Sequence, residues 1–262
     1  MISWSQKRVS DMERFVFSAW LAKWQSKLGE ARVERRRRAV LRRVKGLIHV
    51  GANTGQERAL YAAHGLRVVW VEPIPDVFET LVKNLADYPS QKAYRYLVAG
   101  EDGREFTLNI SNYGGVSSSI LPLAHHREMW PEVDYSGEIK MIGTTLPAFL
   151  GKERLRLTDY QALVLDTQGS EMLILKGAAE ILGEFRFIQV EVPDFEAYAG
   201  CCLLPEMNEF MKLRGFREMH RNKFRSIRGV GSYYDVTYKR TLWRSIAHVC
   251  GTNHQTAVNQ QG

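Results

Sequence analysis

Residues 47–55 read Leu47-Ile48-His49-Val50-Gly51-Ala52-Asn53-Thr54-Gly55, and residues 69–73 read Val69-Trp70-Val71-Glu72-Pro73. The first segment is typical of a buried strand that ends in a glycine turn and opens a helix, and the second of a strand that ends in an acid. Glu72 lies 21 positions after Gly51, near the spacing of about 20 at which a carboxylate can accept hydrogen bonds from ribose hydroxyls. The G-x-G-x-x-G pattern is absent, so the segment favours a nucleoside over a dinucleotide.

The composition predicts one substantial core. The chain has 262 residues, of which 45% are hydrophobic, enough for one domain or for one domain with an appendage. No apolar run approaches the roughly 18 residues that a bilayer span requires, and charged residues interrupt the N-terminal segment between 7 and 14. The three cysteines fit neither a disulfide framework nor a zinc site. We therefore expect a cytoplasmic protein with reduced thiols.

The positive charge is concentrated in the N-terminal arm. Residues 1–45 contain 13 Lys and Arg against 4 Asp and Glu, whereas the whole chain carries +7. Apolar residues at helical spacing over 10–30 predict a helix that leads into the basic block 35–43. This helix could pack on its own domain or on a second subunit, or it could contact a membrane surface. Nucleic acid is less favoured because no aromatic residues alternate with the arginines.

Short apolar runs alternate with helical patterns from residue 47 onward, as in a largely parallel sheet that is covered on both faces. We predict strands near 47–50, 67–72, 94–98, 161–166, 186–192, 215–220 and 232–239, and helices near 56–64, 75–87, 171–182 and 203–214. The last two strands have no helix between them and predict an antiparallel edge hairpin. The predicted fold is therefore α/β and Rossmann-like, with a seven-stranded sheet over 46–240, a helical arm over 1–45, and a tail over 241–262 that we expect to be disordered beyond Cys250.

Between residues 99 and 145 the alternation of apolar runs and helical patterns becomes irregular. This predicts an insertion near the carboxyl ends of the strands. It includes a hairpin-like run over 104–110 and then polar and glycine-rich segments. Substrate contacts commonly come from such loops. Five side chains of this insertion could contact a sugar or an anionic group, or could simply be surface residues: Tyr113, His125, His126, Arg127 and Trp130.

Ligands of open α/β sheets bind beyond the carboxyl ends of the strands, and this rule selects the candidate binding residues. They are Gly51, Ala52, Asn53, Gly55, Glu72, Val98 and Ala99. Asn53 can offer its amide to a ligand or can stabilise the turn, and Glu72 can bind ribose or favour a helix N-terminus. The small residues Val98 and Ala99 can flank an adenine ring, although a turn explains them equally well.

Two carboxylates are predicted at the same sheet edge. Asp166 follows the apolar run 163–165, and Glu191 ends the run 188–191. Asp166 can cap the next helix, or it can take a proton from a substrate hydroxyl. Together with His125 or His126 the two acids could bind a divalent metal, but adjacent histidines in a polar loop are more often solvated, and we predict no metal ligands.

At these residues the chain resembles the FkbM-type methyltransferases, which use S-adenosylmethionine. The resemblance spans roughly residues 46–240 and rests on the order and spacing of several short segments. They are 50–55, 71–73 with Leu81 and Asn84, 117–119, 145–146, Asp166-Thr167-Gln168-Gly169-Ser170-Glu171 with 175–178, and 190–192. It implies a class I methyltransferase fold and methyl transfer to a hydroxyl of a sugar, glycolipid or polyketide-like natural product, so that the partner is a small-molecule or glycan acceptor.

Two residues depart from the family pattern. His49 stands where an acid usually precedes the glycine turn, and Gln168 stands where the family often has Glu. Since an amide cannot act as a base, the resemblance implies that Asp166, with Glu191, carries the acidic role. Two other functions stay open at this point. One is a nicotinamide-dependent oxidoreductase, which the missing G-x-G-x-x-G disfavours, and the other is a non-catalytic cofactor-binding module whose basic arm docks a partner.

Overall fold

A computed structural model describes residue 29 and residues 31–241 of the chain. The first described helix, α1, covers 31–41 and places Val40 and Leu41 in a core cluster with Leu47 of the first strand. The predicted helix over 10–30 and the predicted disordered tail lie outside the described residues, apart from residues 29 and 241. No helix in the described part of the chain is long and apolar enough to cross a bilayer.

The main sheet has seven strands and places the carboxyl ends of its parallel strands at one edge. The described residues form ten strands: β1 Gly46–Val50, β2 Arg67–Val71, β3 Gln91–Tyr94, β4 Leu97–Val98, β5 Glu105–Ser111, β6 Tyr135–Thr144, β7 Ala162–Leu165, β8 Phe187–Pro193, β9 Phe216–Ile227 and β10 Gly231–Arg240. The main sheet has the order β3-β2-β1-β7-β8-β10-β9. Its first five strands pair in parallel, and β10 pairs antiparallel with both β8 and β9. The predicted α/β sheet and its edge hairpin are confirmed.

Helices cover both faces of this sheet. After α1 they are α2 Arg58–Ala63, α3 Pro75–Asn84, α4 His126–Met129, α5 Leu146–Lys152, α6 Glu171–Gly177 and α7 Leu204–Leu213. One core cluster packs β1, β7 and β8 against α5, α6 and α7, and a second packs β1 and β2 against α1, α2 and α3. Helix α6 ends at Gly177, earlier than the predicted residue 182, and at Gly177 the chain passes close to Gly100. A Cβ on Gly177 would lie 2.8 Å from the Gly100 carbonyl oxygen.

The predicted strand over 94–98 is wrong in its bounds. Residues 91–94 form β3, which pairs with β2, whereas Leu97 and Val98 form β4, which pairs with β6 in a separate three-stranded sheet of order β4-β6-β5. The chain therefore changes sheets around Arg95. The insertion contains an extended antiparallel pair, β5 with β6, rather than a short hairpin. It packs through Leu108 against Ile74 and Val77 at the start of α3, which places it beside the carboxyl edge of the main sheet.

Candidate active site

A cavity of about 260 Å³ lies at the carboxyl edge of the main sheet. The turns after β1, β2 and β7, the segment 96–98 and the insertion all contribute to its wall. The lining residues are His49, Val50, Gly51, Ala52, Asn53, Gln56, Glu57, Glu72, Pro73, Ile74, Tyr96, Leu97, Val98, Leu108, Gly115, Val116, Ser117, Ser118, Ile120, Asp166, Thr167, Gln168 and Ser170. We call this space the first cavity. It contains five of the predicted cofactor residues and Asp166, so the structure brings these residues together as expected.

Gly51 forms the tightest contact of the turn that follows β1. Its backbone has φ +79°, and a Cβ built on it would lie 1.8 Å from the carbonyl oxygen of Asp166. The backbone N–H groups of Gly51 and Ala52 both donate to the Val71 carbonyl, at 3.0 and 3.1 Å. The absence of a side chain at Gly51 therefore lets the turn after β1 contact the backbone of the turn after β7.

The buried carboxylate of Glu72 closes the same turn. Its two oxygens accept the backbone N–H groups of Asn53, at 2.8 Å, and of Ile74, at 3.0 Å. Burial raises the pKa of Glu72 to about 7, and the two backbone donors oppose that rise. A carboxylate offers about four lone-pair sites, so Glu72 keeps acceptor capacity for hydroxyls in the cavity.

Asn53 stabilises the turn with its side-chain oxygen. This oxygen accepts the backbone N–H of Thr54 at 2.7 Å and the side-chain amide of Gln56 at 3.2 Å, and Asn53 itself has φ +44°. Its side-chain nitrogen has no hydrogen-bond partner among the described residues, and Asn53 lines the cavity. The turn-stabilising role is thus visible in the structure, and the amide N–H₂ stays available to a ligand.

His49, which departs from the family pattern, is a buried neutral ring. It stacks on Trp70 with 4.9 Å between ring centroids, and its Nδ1 lies 3.3 Å from the Tyr61 hydroxyl. Burial lowers the pKa of His49 to about 4. The ring is therefore uncharged at neutral pH and adds no positive charge to the cavity wall, which matters for a ligand that is itself a cation.

Two predicted cofactor residues have structural positions behind the cavity wall. Ala99 is fully buried and donates its N–H to the Thr144 carbonyl at 2.8 Å. Gly55 has φ +73°, and a Cβ there would lie 2.7 Å from Leu81. Neither lines the first cavity, whereas Val98 does. Gly55 therefore allows α3 to approach the turn, and Val98 is the member of the predicted Val98-Ala99 pair that can contact a ligand.

Asp166 is half-buried and lines the same cavity, and Gln168 holds its carboxylate. The Gln168 side-chain nitrogen donates to Oδ1 of Asp166 at 2.7 Å and to Oε1 of Glu191 at 3.3 Å, while its oxygen accepts the Tyr198 hydroxyl at 2.7 Å. Burial raises the pKa of Asp166; the hydrogen bond from Gln168 opposes this rise, and the carboxylate of Asp235 adds to it. The amide at 168 thus bridges two acids that would otherwise repel each other.

Glu191 lies behind Asp166 and does not line the first cavity. It faces a second space on the sheet surface, and burial raises its pKa well above the usual value, with Asp166 and Asp235 adding to that effect. The structure therefore places the two predicted acids side by side, linked through Gln168, but only Asp166 reaches the first cavity.

Two residues that the sequence analysis named only as part of the family resemblance, without a role, shape the turn after β7. The buried Glu171 carboxylate accepts the backbone N–H of Thr167 at 2.7 Å and that of Gly169 at 3.0 Å. From the insertion, the Ser119 hydroxyl donates to the Gln168 carbonyl at 2.6 Å. A carboxylate in the first turn of a helix is a signal that could have identified Glu171. The Ser119 contact joins residues 49 positions apart, and no local pattern indicates it.

The histidines of the insertion have other roles. His125 is exposed and pairs with Glu128 at 2.6 Å. His126 is buried; its Nδ1 lies 2.6 Å from the Tyr233 hydroxyl and its Nε2 lies 3.1 Å from the Ser117 hydroxyl. Over the described ranges, no group of three or more His, Cys, Asp and Glu residues could hold a metal ion. The alternative in which His125 or His126 joins the two acids therefore has no geometric basis in the described residues.

The other insertion residues that we considered for substrate contact do not line the first cavity. Tyr113 is 59% exposed, Arg127 pairs with Asp134, and Trp130 packs on His126 and under Arg225. The insertion instead reaches the cavity with small or apolar residues, namely Leu108, Gly115, Val116, Ser117, Ser118 and Ile120.

A family model described as the methyltransferase FkbM domain matches residues 49–218, which is more than half of the chain. The chain belongs to the FkbM methyltransferase family. The matched region includes the glycine turn after β1, Glu72 and the turn that carries Asp166. The resemblance found in the sequence is therefore confirmed. No curated protein matches the sequence.

Two solved structures illustrate what the FkbM-family chain is similar to. One is the 1,6-didemethyltoxoflavin-N1-methyltransferase of Burkholderia thailandensis with bound S-adenosylhomocysteine, at 13% identity, TM-score 0.44, and 92% coverage of each chain. The other is the magnesium protoporphyrin IX methyltransferase of Synechocystis PCC 6803, at 10% identity, TM-score 0.43, with 82% of this chain and 81% of that chain covered.

S-adenosylmethionine is the cofactor of the family, and the first cavity fits it. Gly51 and Ala52 line the cavity with backbone and a single methyl group. Glu72 has acceptor capacity for ribose hydroxyls, Asn53 has a free amide N–H₂, and Val98 supplies an apolar wall. The neutral His49 ring avoids repulsion of a positively charged sulfonium. These residues would hold the cofactor when it is bound.

Proposed function

We propose that the protein is an O-methyltransferase whose acceptor is a hydroxyl group of a sugar, glycolipid or polyketide-like natural product. The observation that carries the proposal is the position of Asp166. Its half-buried carboxylate lines the same cavity as Gly51, Asn53 and Glu72, and only one side-chain donor, Gln168, occupies it within the described residues. A carboxylate in that position can accept a proton from an acceptor hydroxyl.

The bound cofactor supplies an electrophilic methyl group on a positively charged sulfur. The chain's own residues have three tasks. The turn after β1 and Glu72 hold the nucleoside part of the cofactor, and the insertion segment 115–120 excludes water from one side of the cavity. Asp166 orients the acceptor hydroxyl and takes its proton as the oxygen is methylated. Alignment supplies most of the acceleration, and general-base assistance of this kind contributes about 10²–10⁴-fold.

The environment of Asp166 suits this proton transfer. Burial raises the pKa of Asp166, and a general base is most effective when its pKa lies near the working pH. Because the carboxylate must be ionised to accept a proton, the methyl-transfer rate should rise with pH through this raised pKa. Gln168 limits the rise by donating to the ionised form.

The test is transfer of a ¹³C-methyl group from S-adenosylmethionine into neutral, hydroxyl-containing compounds, with the product examined by NMR. We expect the label in a methyl ether. Label found in an amine, a thiol or a nucleic-acid base, with none in ethers, would contradict O-methylation while leaving methyl transfer intact.

A ligand comparison tests the cofactor assignment separately. A ligand at about 100 times its dissociation constant stabilises a protein by roughly 2.7 kcal/mol. We expect S-adenosylhomocysteine to raise the melting temperature and NAD to leave it unchanged, because the chain lacks a dinucleotide-binding G-x-G-x-x-G turn. Stabilisation by NAD alone would favour the oxidoreductase alternative.

A further inference from the structure

A second cavity, of about 170 Å³, lies between helix α1 and one face of the main sheet. Its walls come from α1, from the turn that precedes α2, and from strands β1, β7, β8, β9 and β10. It shares three lining residues with the first cavity, namely His49, Glu57 and Asp166. The two cavities therefore meet at the residue that we propose as the base.

The sheet face inside the second cavity is polar toward the carboxyl end of β8, whereas Leu47, Ala162 and Phe187 make it apolar near the start of the strands. In β8, Ile188, Val190 and Val192 belong to the main core, whereas Gln189 and Glu191 face the second cavity. Strand pairing extends this polar surface across the neighbouring strands, because side chains of paired residues lie on the same face.

Two rows of polar side chains result from this register. Gln189 pairs with Thr237, and Glu191 pairs with Asp235, which in turn pairs with Asn222. Neighbouring strands lie about 4.8 Å apart, so each row presents donors and acceptors at short, regular intervals. Asp166 directly follows the end of β7, on the same side as these rows.

The polar groups of the two rows are only partly satisfied within the protein. The Asn222 amide donates to Asp235 at 3.5 Å, and Gln168 donates to Glu191 at 3.3 Å. Over residues 31–241, no protein hydrogen bond reaches the side chain of Gln189 or of Thr237, and both are only half-exposed. Partly buried polar groups of this kind normally bind a protein group, water or a ligand.

We propose that the second cavity binds the body of the methyl acceptor, a neutral polyhydroxylated ring, with one hydroxyl directed to Asp166. This inference rests on the proposed function and adds the location and the class of the acceptor. Hydroxyl groups both donate and accept, which matches a surface that alternates carboxylates with amide and hydroxyl groups. A wholly apolar ligand or an anionic ligand fits the polar rows less well.

Charge argues against an anionic acceptor. Asp166, Glu191 and Asp235 lie next to one another. The charge of Asp235 raises the pKa of Asp166, and the charges of Asp166 and Asp235 raise the pKa of Glu191. The wall contains four acids, namely Glu57, Asp166, Glu191 and Asp235, and three arginines. Arg37 is paired with Glu57 at 3.4 Å and Arg221 with Glu218, whereas Arg36 has no ion pair among the described residues. An added phosphate or carboxylate beside Asp166 would face the row of acids formed by Asp166, Glu191 and Asp235.

The test uses substitutions that remove single polar groups with little change of shape: Thr237→Val, Gln189→Leu and the double variant. Thr107→Val is the matched control, because Thr107 is an exposed strand residue outside both cavities. The probes are S-adenosylhomocysteine, by calorimetry, and three neutral methyl glycosides (glucoside, mannoside and galactoside), by saturation-transfer NMR with saturating S-adenosylhomocysteine.

We expect the wild type and Thr107→Val to bind at least one glycoside. The double variant should weaken that binding by about tenfold, the effect of losing two modest hydrogen bonds, with the S-adenosylhomocysteine dissociation constant unchanged. Unchanged S-adenosylhomocysteine binding also shows that the variants fold.

Two results would overturn the proposal. One is that S-adenosylhomocysteine binds the wild type but no glycoside does, and the other is that the double variant binds glycoside as well as the wild type. In either case the methyltransferase function still stands. Failure of the wild type to bind S-adenosylhomocysteine would instead overturn the proposed function and this inference together.

Discussion

The turn after β1 and the turn after β7 contact each other at Gly51 and Asp166, yet they are built differently. The first is held from the end of β2, since Glu72 accepts two backbone N–H groups and Val71 accepts two more. The second is held by the nearby Glu171, which accepts two backbone N–H groups, and by the distant Ser119, while its own acid Asp166 accepts one side-chain amide. A carboxylate that is fixed by two backbone donors is suited to binding, and one that is held by a single side-chain donor is suited to proton transfer.

The largest expected effect is a loss of methyl-transfer rate when Asp166, in the turn after β7, is substituted. Asp166→Asn should lower the single-turnover rate of methyl transfer by about 10²–10⁴-fold, because an amide cannot accept the hydroxyl proton. Asp87→Asn, at an exposed residue, is the control and should leave the rate unchanged. A near-normal rate for Asp166→Asn would remove Asp166 from the chemistry.

The contact between the two turns should dominate stability. Gly51→Ala adds a Cβ that would lie 1.8 Å from a backbone oxygen, whereas Gly65, which also has positive φ, has nothing within 4 Å of its Cβ position. Gly65→Ala should therefore cost only the strain of a left-handed residue, about 1–2 kcal/mol. Gly51→Ala should cost about 3 kcal/mol or more in the free energy of unfolding, measured by urea denaturation. Equal losses would mean that the two turns do not need this contact.

Substitution of Glu72, which holds the turn after β1, should weaken the binding of S-adenosylhomocysteine. Glu72→Gln keeps the shape but replaces one acceptor oxygen with a donor, so the affinity for S-adenosylhomocysteine should fall by about 1.5–3 kcal/mol, or about tenfold or more in Kd. Glu79→Gln, at an exposed position of α3, is the control in the same calorimetric titration. An unchanged Kd for Glu72→Gln would exclude a contact from this carboxylate to the ligand.

The smallest effect is a shift in the pH profile. Gln168→Glu places a third carboxylate between Asp166 and Glu191, so the pKa of the base should rise and the acid limb of the rate profile should move up by about one pH unit. Glu191→Gln removes a neighbouring charge and should move the limb down. Since the base works when ionised, the rate at a fixed pH on this limb falls in the first variant and rises in the second. Identical profiles would show that Gln168 does not tune the base.

The same contrast explains how far sequence reasoning could reach. The glycine turn and Glu72 follow a local spacing, and the buried runs that end at Glu72, Asp166 and Glu191 have clear apolar patterns. These features were enough to predict the sheet and its edge hairpin, and five of the seven residues proposed to bind the cofactor line one cavity. The glycine turn, the spacing to Glu72 and the apolar runs each lie within about 25 positions of the chain, so a single sequence displays them directly.

Contacts between distant segments could not be predicted in this way. The strand over 94–98 divides because Leu97 and Val98 pair with Gly143 and Thr144, in another sheet. Strand β6 was missed because most of its residues are at least partly exposed and its apolar side chains, such as Ile139, only flank a small cluster. The link from Ser119 to Gln168 and the position of Glu191 behind Asp166 likewise depend on the complete fold.

The central claim is that the two turns have separate tasks, and one paired measurement tests it most directly. The single-turnover rate at saturating S-adenosylmethionine and the Kd of S-adenosylhomocysteine are determined for Asp166→Asn and for Glu72→Gln. We predict that Asp166→Asn loses rate by about 10²-fold or more with an unchanged Kd, and that Glu72→Gln raises the Kd about tenfold with a near-normal saturated rate. If each variant altered both quantities to the same extent, the two turns would act as one unit and the account would be contradicted.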